Sequence, residues 1–488
     1  MATTLTDHSV DHLDHHPNNQ KNSPKHFKPL LWLVAMGFFM QALDSTIVNT
    51  ALPAMARSLG ESPLRMQSVV IAYMLTMAVI IPMSGWLADR FGTRKIFFGA
   101  IVLFTLGSVL CAISHSLDTL VMARIVQGVG GAMLLPVGRL AVLRALPRKL
   151  FLPAMSFITV PGLVGPLIGP TLGGWLVEAA SWHWIFLINV PIGIIGAITT
   201  LRFMPDLRND ELTPFDTTGY LLLTSGMVGL SIALDGLSEM GLPHAAIMIL
   251  LFFAFASITA YWLHAVRRGD RALFSLKLFS VPSYRIGVLG NLFARIGSGS
   301  MPFLLPLLLQ ISLEHTPAEA GMMMIPIALA AMLSKQFINP LVRRFGYRQV
   351  LVVNTILVGL SIASFALMTA SEPTWIRIIH MGLFGFFNSI QFTCMNTLSL
   401  KDLDDKLASS GNGLLSMVMM LSMSLGVASA AAVLAGFSEF IGSTANALQA
   451  FHSTFICVGL MTSAAAWIFW QLPQDEAVCE KKDVAVVE

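Results

Sequence analysis

Charge is what this 488-residue sequence has least of. Asp, Glu, Lys and Arg make up 12% of it against 55% hydrophobic residues, about half the roughly 25% charged share of a soluble domain. That scarcity excludes a set of water-soluble domains, because too few charges remain to cover their surface. Neither sign dominates. A formal net charge of +3, dispersed along the chain, excludes a nucleic-acid-binding footprint in spite of a pI near 8.7. The four cysteines (Cys111, Cys394, Cys457 and Cys479) show no paired spacing. Three lie in apolar runs and one in the polar tail, which excludes a disulfide framework or a zinc site. There is no His-Glu-x-x-His, no Gly-x-Ser-x-Gly and no cluster of buried acids, so a membrane-embedded enzyme would have nothing to work with. No cofactor is expected. The first 28 residues are polar and lack the short apolar core and small-residue cleavage site of a signal peptide, so Leu30 onward reads as a retained first span.

Apolar runs are what the chain has in abundance. They fall near 30–52, 67–88, 96–114, 119–141, 152–177, 184–204, 217–236, 245–265, 284–310, 318–338, 349–370, 375–397, 410–436 and 451–472. Each is about 20 residues, enough to cross ~30 Å of hydrocarbon as a helix. The reading is an all-α integral membrane protein of fourteen spans. An even count puts both termini on one side, and lysine and arginine decide which. With the termini in the cytoplasm, 23 of the 30 basic residues fall in cytoplasmic segments. Only Arg57 and Arg65 fall outside, and Arg124, Arg139, Arg295, Lys335 and Arg377 lie within spans. The nine tryptophans cluster near span ends, where amphipathic rings settle.

The sequence also repeats itself. The segment 85–94 after the second span and the segment 339–348 after the tenth share Leu, Arg, Phe, Gly and Arg at one offset; Arg124-Ile125 is matched by Arg377-Ile378. The expected layout is a cytoplasmic tail (1–28), a six-helix bundle (29–204), two inserted helices with their linkers (205–281), a second six-helix bundle (282–472) and a cytoplasmic tail (473–488). Parallel halves of six around a central pathway are a transporter layout, with the solute site near the midplane.

On these residues the chain resembles the fourteen-span drug:proton antiporter family of the major facilitator superfamily. Leu43, Asp44, Asn49 and Pro53 match its first-span motif. Gly85 to Lys95 match its loop motif, Arg124, Gln127, Gly128 and Gly130 its fourth-span motif, and Gly162 to Gly174 its antiporter motif. Trp182 to Pro191 resemble the entry to span six. The sequence departs from the family at His183, where an arginine is common, and at Met420, where a glutamine often precedes Leu-Ser. The resemblance implies a monomeric, proton-coupled exporter in a bacterial inner membrane, working by alternating access on drugs or other small molecules. Its partners are the solute, protons and the bilayer. Asn49, Gln127, Arg295 and Arg377 are the candidate cavity residues.

The motifs carry physical readings of their own. Gly165, Gly169 and Gly173 recur every fourth residue, leaving one helix face bare so that another helix can come close, and Pro166 and Pro170 favour a bend there. Gly85, Asp89, Arg90, Gly92 and Arg94 form a charged loop that reads as a clasp between helix ends; its second copy has Arg343 in place of the acid. Among 27 acids, Asp44 alone stands well inside a span. It lies roughly 21 Å from the inner boundary and Arg124 roughly 8 Å from the outer one. In a core of ~30 Å those depths nearly coincide, so the two can meet if spans one and four adjoin. An intramembrane carboxyl is expensive and usually functional. Desolvation favours its neutral form and a nearby cation its charged form, so a pair that parts and re-forms takes up and releases a proton. The sharpest expectation is therefore proton coupling at Asp44 and Arg124.

Against one buried acid stand Arg124, Arg139, Arg295 and Arg377, and Arg295 is about 17 Å into its span. That excess of positive charge favours an organic anion such as a carboxylate metabolite or its metal chelate as the alternative solute. Four histidines in the N-terminal tail (His8, His12, His15 and His16) read as part of a solvated tail rather than a metal site. A channel and a transport-dead sensor are weaker alternatives, since duplicated halves fit rocking better than a fixed pore.

Overall fold

A computed structural model describes residues 24–146, 148–208, 214–237, 243–441 and 447–473. Every long element among them is a helix, as hydrocarbon requires of a backbone whose polar groups find no water. The first half comprises α1 (Pro24–Leu59), α2 (Gln67–Phe91), α3 (Thr93–Ala112), α4 (Leu117–Ala145), α5 (Arg148–Ala179), and a short α6 (Trp184–Leu187) running into α7 (Asn189–Phe203). The insert is α8 (Thr217–Gly236) and α9 (His244–Arg268). The second half comprises α10 (Pro282–Leu307), a short α11 (Pro317–Met323), α12 (Ile325–Ser364), α13 (Thr374–Lys401), α14 (Asp405–Ile441), α15 (Ala447–Ala464) and α16 (Ala466–Trp470). The histidine-rich tail, Cys479 and the end of the C-terminal tail lie outside the described residues.

Thirteen helical stretches among the described residues are long and apolar enough to cross a bilayer. One of them, Pro317–Leu367, has 51 residues, roughly 77 Å of helix and more than twice a ~30 Å core. It breaks at Gly346, where φ is 73°, so it crosses twice and the count becomes fourteen. Gly92, at the matching place in the first half, has φ of 94°. The two copies of the loop motif thus share a left-handed glycine as well as a sequence, at positions where a side chain would be strained. Helix α1 begins at Pro24, ahead of the expected span. Proline suits a first helical turn, where its missing N–H leaves nothing unpaired, so the helix projects past the apolar run.

We call the side where α1 starts and α16 ends the termini face, and the opposite side the far face. Within the first half α1 packs on α5, and α4 on α2 and α3; within the second, α12 packs on α13 and α15, and α10 on α14. The halves meet through α2 with α14, α1 with α10, and α5 with α11. Helix α8 lies against both α2 and α14. Gln67 Nε2 donates to Asp235 at 2.7 Å, and the hydroxyls of Ser231 and Ser424 meet at 3.2 Å. The insert therefore bridges the two halves. Helix α9 packs on α8 and turns Met248, Ile249 and Phe252 outward, as a lipid-facing helix does.

Candidate functional site

Asp44 and Arg124 meet in the interior of the first half. Asp44 is 0% exposed and Arg124 1%, with Nη1 2.6 Å from the carboxylate Oδ2. Two amides complete the carboxylate's shell. Gln127 Nε2 donates to Oδ1 at 2.8 Å and Asn189 Nδ2 to the same oxygen at 3.2 Å. The guanidinium has other partners too: Gln127 Oε1 at 2.7 Å, the Val69 carbonyl at 3.3 Å and the face of Tyr73 at 4.1 Å. Gln127 is further held by the Ser108 hydroxyl at 2.9 Å. Helices α1, α2, α3, α4 and α7 all contribute. Breaking a buried pair normally strands one charge without compensation. Here protonating Asp44 would leave Arg124 an amide, a carbonyl and a π face, so the neutral state of the acid is provided for.

The glycine face of α5 covers α1 over this same stretch. A Cβ on Gly165 would stand 2.7 Å from the Leu43 nitrogen, one on Gly169 2.2 Å from Thr46 Oγ1, and one on Gly173 2.6 Å from the Ile47 carbonyl. Contact this close is possible only without side chains. One residue further, α5 meets the other half. A Cβ on Gly174 would fall 2.1 Å from the Pro317 carbonyl, and one on Gly321 2.4 Å from the Pro170 carbonyl. Hydrogen bonds between the halves gather at this far face: Thr171 Oγ1 to the Gly321 carbonyl (3.1 Å), Gln310 Nε2 to the Thr50 carbonyl (2.8 Å) and the Ala318 N–H to Glu178 (3.3 Å). The far face is closed by backbone on backbone.

Two bundles of six, a bridging pair and a sealed face between duplicated halves have a known counterpart. The family model described as Major Facilitator Superfamily matches residues 34–427 and again 287–483. The chain belongs to the Major Facilitator Superfamily. It is 51% identical over 449 residues to the "Putative multidrug resistance protein MdtD" of Serratia proteamaculans (strain 568), covering 91% of this chain and 93% of that one. It is 52% identical over 449 residues to the protein of the same name from Escherichia coli (strain 55989 / EAEC), covering 91% and 94%. Among solved structures it resembles a D-xylose-proton symporter (TM-score 0.65, 14% identity, 93% of this chain and 99% of that one) and a variant of the nucleoside transporter NupG (TM-score 0.63, 13% identity, 90% and 98%). At such low identity those two speak for the fold alone. This Major Facilitator Superfamily protein is a multi-pass membrane transporter and not an enzyme.

The remaining sequence candidates scatter. Gln127 belongs to the ion-pair cluster rather than to a solute cavity. Asn49 is buried and donates back to the Ser45 and Thr46 carbonyls of its own helix. Arg377 sits at the far-face start of α13, donating to the Thr369 and Ala370 carbonyls at 2.8 Å and to His315. The family motifs and the count of arginines within spans point to these three; facing is set by packing, which neither reports. Arg295 differs. It is buried beside Phe392, 4.5 Å over the ring, and its Nε and Nη2 have no partner among the described residues.

The clasp motif ties the first half to itself. Asp89 pairs with Arg144 of α4, Arg94 donates to the Met204 carbonyl, Arg90 stacks on Trp86, and Gly92 leaves room for Asp206. Gly85 has open space where a Cβ would sit, so this member plays no packing part. His183 stacks on Trp182; burial, with His115 nearby, holds its imidazole below the ordinary histidine value. Sequence reasoning missed Asn189 as a partner of Asp44, Tyr73 as the ring beneath Arg124 and Ser108 as the acceptor from Gln127. Only Asn189 carried a signal, as part of the span-six motif.

Proposed function

We propose that this transporter exports drug-like small molecules from the cytoplasm in exchange for protons, with Asp44 as the proton-binding group. The termini face is cytoplasmic and the far face outside, on the strength of the 23-to-2 distribution of basic residues. The observation that carries the reading is the ion pair: one carboxylate at depth, in reach of a guanidinium that has alternative partners. Because the pair is enclosed by the first half, proton and solute do not compete for one pocket. Coupling runs through the relative position of α1, α4 and α7, which rocking changes. One proton moved inward yields about 2.3 kcal/mol per 100 mV, enough to sustain a solute gradient of tens-fold. The multidrug resistance named for the relatives supplies the drug-like solute.

The test uses proteoliposomes with an imposed pH gradient. Asp44→Asn is expected to abolish solute-driven proton flux while solute binding persists. An Asp44→Asn protein with unchanged proton-to-solute stoichiometry would falsify the assignment.

Arg295 favours a second reading for the solute. A buried guanidinium with two uncommitted nitrogens over an aromatic ring suits an organic anion, whose carboxylate accepts from both in bidentate fashion. Uptake into inside-out vesicles under a pH gradient, comparing cationic dyes with di- and tricarboxylates, separates the two. Carboxylate transport lost in Arg295→Gln, with dye transport absent throughout, selects the anion.

A further inference from the structure

A second titratable device sits on the far-face seal. His315 precedes α11, in a segment fixed by backbone hydrogen bonds from Leu313 to Leu308 and from His315 to Leu309, with Glu314 at φ 54°. Its Nε2 lies 2.8 Å from Arg377 Nη1 and its Nδ1 3.3 Å from Glu319 Oε2. Arginine has only donors. Nε2 must therefore accept, which makes His315 neutral, with its proton on Nδ1 directed at Glu319. Held this way the ring ties the start of α11 to the buried Arg377 of α13. Helix α11 in turn carries the seal, through Pro317 against Gly174, Gly321 against Pro170 and Ala318 against Glu178.

We propose that His315 is a proton-operated latch on the far-face seal, closed when the imidazole is neutral and released when it is protonated. A second proton puts an N–H on Nε2 facing the guanidinium, donor against donor and cation against cation at the same 2.8 Å. The ring keeps its attraction to Glu319 and loses Arg377, so α11 is freed from α13. The other charged or titratable groups around it are Glu314 in its own loop, Glu372 before α13, His380 one turn beyond Arg377, Glu178 of α5, and His452 of α15. His452 is turned onto the Met368 carbonyl at 2.8 Å. None of them supplies a lone pair to Arg377 in the place of Nε2. In the orientation proposed above, on which this inference rests for its purpose, acid outside would open the face through which Asp44 takes its proton.

The experiment is spin-label distance measurement in nanodiscs between labels at Ser58→Cys on α1 and Thr374→Cys on α13, with Cys457 and Cys479 changed to serine. The distances are expected to lengthen between about pH 8 and pH 5, where an imidazole titrates. His315→Gln, whose amide can both accept and donate, should stay short throughout. His315→Lys, which cannot accept, should already be long at pH 8. Glu319→Gln keeps the capping box but removes the carboxylate, so its midpoint should move to lower pH. A His315→Gln protein with the parent's pH response, or a His315→Lys protein still closed at pH 8, overturns the latch. Asp44→Asn in the same assay keeps the two proposals apart. A response lost there and kept in His315→Gln leaves coupling standing and removes the latch. The converse supports the latch, even if Asp44→Asn still carries protons inward. Loss in both leaves the decision to the His315→Lys arm.

Discussion

Arg124 and Arg377 occupy matching places in a duplicated fold, near the start of the fourth helix of each half, yet they do different work. Arg124 faces inward to Asp44, Gln127 and the Tyr73 ring. The second half has no acid in the corresponding helix, and Arg377 turns instead to two loop carbonyls and His315. One duplication has thus given a half built around a buried carboxylate and a half whose matching arginine braces the far-face seal. With no acid to face, Arg377 has a different set of acceptors, and all of these lie at the end of the helix.

The contrast sets the scale of what mutation should do. Arg124→Met would strand a fully buried carboxylate with only two amides, a loss of about 3–5 kcal/mol. Arg377→Met strands no acid, only carbonyls and an imidazole at the edge of the membrane, and should cost about 1–3 kcal/mol. Thermal melts in detergent should place the Arg124 variant well below the Arg377 variant, and Asp44→Asn combined with Arg124→Met should regain most of that gap without regaining proton coupling. Equal melting losses would break the comparison. Next in size is the seal. Gly321→Ala introduces a methyl 2.4 Å from the Pro170 carbonyl, and overpacking of that kind costs about 1–3 kcal/mol. Only the closed arrangement bears that cost, so the far-face distances should lengthen at neutral pH. Gly85→Ala, with nothing near its Cβ, should leave them unchanged.

Much of this was legible before any coordinates, for physical reasons. Hydrocarbon leaves the backbone no choice but helix, so fourteen apolar runs translate directly into spans. Asp44 and Arg124 could be paired because both charges are rare and their depths follow from a fixed rise per residue. What was not legible is direction. Asn49 and Gln127 stand on the two helices of the ion pair, just past Asp44 and Arg124, but one folds back on its own helix and the other completes the cluster; that depends on which neighbour each face meets. Gly165, Gly169 and Gly173 announced that some helix comes close. That it is α1 beside Asp44, and that Gly174 meets the opposite half, is tertiary information. Asp216 and Asp235 stand near span ends, where position along the chain does not report burial, yet both are buried, since the insert packs its ends against neighbouring elements.

Asp216 extends the comparison to the third region, the insert, where an acid is held without being asked to part from its partners. It caps α8 through the Gly219 N–H, accepts from the Leu273 N–H at 3.0 Å and from His264 Nε2 at 2.8 Å, and has Arg268 within 3.6 Å. Burial alone would push its carboxyl up, but the hydrogen bonds from His264, Gly219 and Leu273 outweigh burial and hold it below the ordinary aspartate value. A group held low in the folded state stabilises above its unfolded value, about 3.9 for aspartate. That stability is lost as pH falls through the folded value. Asp216→Asn should therefore lower the melting temperature at pH 7, by the equivalent of about 1.5–3 kcal/mol for hydrogen bonds to a charged group. The gap to the parent should stay full at pH 5 and close below about pH 4. Proton coupling should be untouched, because the insert's acid titrates far below the pH at which a transporter works. A gap that ignored pH would mean that shape rather than charge holds the insert's linkers together, and the three regions would then differ less than their electrostatics suggest.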